Sequence, residues 1–145
     1  MKLYQTCFLF LICVVFSGCG SSGLKGLVPC SGVLLEDGKP VDGVSIAFIP
    51  VAETSETKTA NAITDTNGKF SAVTVQWNGI QAGKYNVTLS KRITTVNPNQ
   101  ESVPENYRSV TYIEQMGKYA NAETSGLTIE IPNTGNNDIK IEIKR

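Results

Sequence analysis

Tyr85-Asn86-Val87-Thr88-Leu89-Ser90 alternates large apolar and polar side chains without a break. Successive side chains of an extended strand point to opposite faces, so Tyr85, Val87 and Leu89 share one face and Asn86, Thr88 and Ser90 the other. That is the signature of a half-buried strand, and Gly83-Lys84 supplies a tight entry to it. The same period recurs on both sides. Val44, Ile46 and Phe48 alternate with Ser45, Ala47 and Ile49 before Pro50, which ends the strand or marks an edge. Leu127, Ile129 and Ile131 alternate with Thr128 and Glu130, and Ile139, Ile141 and Ile143 with Lys140, Glu142 and Lys144.

Turn chemistry separates these runs and defines three weaker ones. Asp37-Gly38 supplies the positive φ of a hairpin turn after a strand over Val28 to Leu35. Asp65-Thr66-Asn67-Gly68 joins a strand over Lys58 to Thr64 to one that begins at Phe70. The last two runs are expected to form a hairpin across Pro132 to Asn137. Seven strands with alternating faces and frequent glycine turns predict an all-β chain, a seven-stranded Greek-key β-sandwich of immunoglobulin-like architecture. Arg92 to Ser125 is the exception, because Pro98, Pro104 and many polar residues interrupt any period. The segment reads as a crossover between the two sheets, with a short helix or extra strand at Val110 to Met116, and as the place for specialised function.

The amino terminus carries the clearest functional signal. A ten-residue apolar run from Cys7 to Phe16 is followed by Ser17, Gly18 and Cys19. The run is too short for a bilayer span, which takes about 20 residues, and suits a signal-peptide hydrophobic region. Small residues before a cysteine mark cleavage in front of an acylated thiol, so Phe16, Ser17 and Gly18 read as the signal-peptidase recognition residues and Cys19 as the lipid attachment site. These positions resemble a bacterial lipobox, with Phe16 where leucine is usual. Ordinary secretion with cleavage near Gly18 is the alternative, and in either case the chain is exported. The expected organisation is a signal peptide over 1–18, a flexible lipid-anchored linker over 19–26 and one folded domain over 27–145. A tether of eight residues reaches roughly 15 Å, which holds the domain near the membrane.

Composition excludes several chemistries. The chain has 13 basic and 13 acidic residues and no histidine. No basic stripe is present to bind nucleic acid, and zinc-peptidase chemistry lacks its imidazole ligands. Cys7 and Cys13 leave with the signal peptide and acylation consumes Cys19, so Cys30 is the single thiol of the folded part. It reads as a small apolar strand residue rather than a nucleophile. Asp65, Asn67 and Gly68 look like the start of a calcium loop, but the other ligands and the closing glutamate are missing. No metal or cofactor is expected.

Gly32-Val33-Leu34-Leu35 with Asp37-Gly38-Lys39-Pro40-Val41-Asp42-Gly43-Val44, then Thr64-Asp65-Thr66-Asn67-Gly68-Lys69-Phe70 and Gly83-Lys84-Tyr85-Asn86-Val87, resembles the carboxypeptidase regulatory-like domain. The resemblance implies a transthyretin-like, or prealbumin-like, sandwich over about residues 27–145. Lys118-Tyr119, Thr124-Ser125-Gly126-Leu127 and the closing strands resemble small lipoproteins of planctomycetes and related bacteria. Some transthyretin-like proteins hydrolyse 5-hydroxyisourate, and Tyr107-Arg108-Ser109 is similar to their terminal signature. It lies in mid-chain here, and the histidines of those enzymes are absent.

The expectation is therefore a non-enzymatic, membrane-anchored lipoprotein of the cell envelope, a structural or protein-interaction module held by its acyl chains. Gly20 stands where aspartate commonly retains a lipoprotein in the inner membrane, which favours the outer membrane in a host with two. The partners expected are the membrane, through covalent lipid, and an envelope protein or glycan. The alternative is a carbohydrate-binding module at the cell surface, using Trp77, Tyr107, Tyr112 and Tyr119 as stacking aromatics. Burial or loop packing of those rings is the competing role, and the weightier one.

Overall fold

The computed structural model describes residues 24–52, 57–96 and 109–144, and for 94–96 and 109–115 the backbone alone. The described residues form an all-β arrangement of a seven-stranded and a four-stranded sheet packed together, with a separate two-stranded pair at the chain entry and no α-helix. The strands, in chain order, are β1 Leu27–Val28, β2 Cys30–Glu36, β3 Lys39–Pro40, β4 Val44–Pro50, β5 Ala60–Ile63, β6 Lys69–Ser71 and β7 Val73–Thr74. They continue with β8 Trp77–Asn78, β9 Ile80–Gln81, β10 Gly83–Val96, β11 Ser109–Gln115, β12 Thr128–Ile131 and β13 Asn136–Ile143.

All seven expected strands are present, two of them broken, with β3, β8, β9 and β11 in addition. Pro29 separates β1 from β2, because it has no N–H to give a ladder. Ala72 divides the strand that starts at Phe70. β6 pairs with β2 in the smaller sheet, while β7 pairs with β5 in the larger, so this strand changes sheets at one fully buried alanine.

The larger sheet runs β11, β10, β4, β5, β7, β8, with β12 also against β10. The smaller places β2 between β13 on one side and β3 and β6 on the other. Inward residues follow the alternation: Val44, Ile46 and Phe48 of β4, Tyr85, Val87 and Leu89 of β10, and Ile139, Ile141 and Ile143 of β13 are all buried. Phe48 of the larger sheet meets Phe70 of the smaller at 6.0 Å between ring centres, and this contact ties the layers together.

Two expectations about connections are corrected. β12 and β13 form no hairpin. β12 stays on β10, whereas β13 pairs parallel with β2, Ile141 opposite Leu34. The turn that separates them is set by Gly135, at φ 79 against Pro29, after which the Asn136 N–H bonds the Pro29 carbonyl. The described parts of Arg92 to Ser125 do not cross between sheets either. β10 runs straight on to Val96 and β11 returns antiparallel along it, Ile93 opposite Tyr112, so both arms belong to the larger sheet. Because β4 begins at Val44, opposite Lys91, the ribbon carries roughly 17 Å of strand past that end of the sheet body.

Candidate functional site

Phe16, Ser17, Gly18 and Cys19 lie outside the described residues. The structure does place the entry of the chain into the domain. Leu27 sits opposite Gln81 and Val28 opposite Ile80. Gln81 is also the side chain whose Oε1 accepts the Lys58 N–H at 3.0 Å, and the Gln81 carbonyl accepts the Tyr85 hydroxyl at 2.8 Å. The entry therefore stands at the end of the larger sheet where β4 finishes, since Tyr85 pairs with Pro50 and the Val51 N–H bonds the Lys84 carbonyl.

A cleft of about 530 Å³ opens at this end, lined mainly by small and apolar groups including Pro50, Val51, Ala82 and Tyr85. A second, of about 270 Å³, lies under Val28, Pro29 and Asn78. The larger cleft carries Lys84 and Tyr85 and the smaller Cys30 and Ser71, neither holds a carboxylate, and the described residues hold no cluster of three or more metal-ligating side chains. Asp65 is occupied by its own turn: its Oδ1 accepts the N–H groups of Asn67 and Lys69 at 2.8 Å each.

The four candidate aromatics do not form one platform. Trp77 is half-buried on β8, paired with Thr74 across the Val75-Gln76 turn near the entry end. The backbone of Tyr112 is on the ribbon at the other end, and Tyr107 lies outside the described residues. Tyr119 is buried on a short 3-10 turn, Gly117–Ala120, where its hydroxyl donates to the Lys144 carbonyl at 3.3 Å and accepts the Lys144 N–H at 3.1 Å. It plugs the sandwich and pins the residue after the last strand, and the Lys118 ammonium lies over its ring at 5.0 Å.

Cys30 is buried among the core residues, and burial pushes its thiol up to about 11. The raised value keeps the thiol protonated at neutral pH, which weakens it as a nucleophile. The hydroxyl of Tyr85 is raised as well, by burial first and by Cys30 second. Pattern reading missed two exposed apolar residues at the entry end, Val51 and Val75. Only the fold shows that they neighbour the amino-terminal entry.

No protein-family model matches the chain, and no curated protein is similar to it. Among solved structures it is similar to part of a 9R-lipoxygenase from Cyanothece PCC8801, with a TM-score of 0.35 and 11% identity over 86% of this chain. The matched region spans 17% of that protein.

Proposed function

We propose that this chain is a non-enzymatic lipoprotein of the cell envelope, held in the membrane through acyl chains on Cys19 and presenting a β-sandwich as an interaction module. The finer fold belongs to the same reading: a Greek-key, prealbumin-like sandwich related to the carboxypeptidase regulatory-like domain. The observation that carries it is the run from Cys7 to Phe16 followed by Ser17, Gly18 and Cys19. The absence of histidine and the turn role of Asp65 support a module without turnover. The separation of Trp77 from Tyr112 and the burial of Tyr119 support protein interaction rather than glycan stacking.

Intact-mass measurement on the envelope fraction tests the anchoring. The wild-type chain is expected to begin at an acylated Cys19, and Cys19→Ser to lose both the lipid and membrane retention. An unmodified Cys19, or a Cys19→Ser protein still in the membrane fraction, would end this reading.

A further inference from the structure

Taking the acylation of Cys19 as its premise, we infer that the end of the sandwich at which the chain enters lies against the bilayer surface, with Val51 and Val75 as its apolar contacts. The register brings these residues to one end. Val51 follows the Pro50–Tyr85 pair, and its N–H bonds Lys84. β7 runs antiparallel to β5 with Val73 opposite Asn61, which carries the Val75-Gln76 turn toward Lys58 and Thr59. Lys58 is in turn bonded to Gln81, the residue opposite Leu27 at the entry.

The apolar residues at this end are displayed to solvent. Val51 is 51% exposed and Val75 76%, two of three large hydrophobic residues so exposed among those described. Val75 also holds φ at 60°, a left-handed conformation that strains a β-branched residue. Glycine or asparagine fits such a turn more easily, so the valine needs a reason outside the turn.

The tether identifies the occupant. Seven residues, Gly20 to Gly26, lie between the acylated position and β1, and even fully extended a chain of that length spans no more than about 29 Å. An end held that close to the lipid meets the bilayer before any other surface. Lys25, Lys58 and Lys84 are exposed around it, with Glu130 opposite Lys84, and lysine stems suit an interface between apolar and aqueous layers. The ribbon of β10 and β11 leaves from the opposite end, pointing away from the membrane.

The test uses full-length acylated protein in vesicles of phosphatidylethanolamine and phosphatidylglycerol. A polarity-sensitive fluorophore is attached in separate variants at Val51→Cys, Val75→Cys and Ile63→Cys. Ile63 is 69% exposed but sits opposite Ser45, roughly 17 Å along the strand from Pro50, and serves as the distal control. Labels at 51 and 75 are expected to emit at shorter wavelength and to be quenched by nitroxide lipids, while the label at 63 stays aqueous. If mass measurement shows acylated Cys19 yet all three labels stay aqueous, or 63 is quenched as strongly as 51 and 75, the orientation is wrong and the anchoring stands. If Cys19 carries no lipid, the anchoring fails and the orientation with it.

Discussion

Gly32 faces β13 at the point where its pairing with β2 shifts register between Asn136 and Ile139, and a Cβ there would overlap the Ile139 carbonyl. Neither backbone can yield without breaking the ladder, so Gly32→Ala is expected to lower stability by about 3 kcal/mol, the upper part of the range for overpacking. Gly38 needs glycine for a different reason. Its φ is 79° but nothing lies within reach of an added Cβ, so Gly38→Asn should stay within about 0.5 kcal/mol of wild type. Urea unfolding midpoints of the two variants separate steric from conformational demand. Cys30 sets a pH dependence. Its thiol titrates near 9.0 when unfolded and at about 11 when folded, so the unfolded chain loses its proton first. Stability is therefore complete below about pH 8 and falls between pH 9 and 11, by about 2–3 kcal/mol for the full shift. Cys30→Ala should flatten that decline in urea titrations at pH 7 and pH 10.5, leaving an alkaline loss from Tyr85, whose hydroxyl burial also raises.

At the scale of elements, turn sequence and alternation were readable because both are local. Asp37-Gly38 forms the two-residue hairpin loop expected of it, with Glu36 opposite Lys39 and φ of 48° and 79°. Asp65 closes its turn with a carboxylate, and β4 buries every second residue from Val44 to Pro50. The β7–β8 turn was not readable, since Val75-Gln76 has none of the usual residues for a left-handed position. Relief of its strain gives a direct check: Val75→Asn is expected to stabilise the domain by about 1 kcal/mol, measured by the shift in the urea midpoint at unchanged slope. The broken strand from Lys69 to Thr74 was equally hidden. A single apolar run passes through both sheets, and burial of Ala72 at the crossing resembles ordinary strand burial.

Over the whole molecule, stability rests on the contact between the two layers, where Phe48 and Phe70 meet. Phe48 is fully buried, so Phe48→Ala is expected to cost about 3–5 kcal/mol, enough to leave much of a marginally stable domain unfolded. Thermal unfolding by circular dichroism would show the loss of the cooperative transition or a large fall in its midpoint. The proposed orientation also belongs to this scale, because it joins the amino-terminal entry, Val51 and Val75 from three distant stretches of chain. The sequence by itself determined seven of the strands, several of the turns and the buried faces, since each depends on residues close together along the chain. Only the tertiary structure decided that β13 lies parallel to β2, that β10 and β11 form one ribbon, and that the displayed valines neighbour the chain entry. Alternating isoleucines at 139, 141 and 143 satisfy an antiparallel or a parallel neighbour equally well. The choice was made by the turn of Gly135 against Pro29, a contact between residues more than a hundred positions apart.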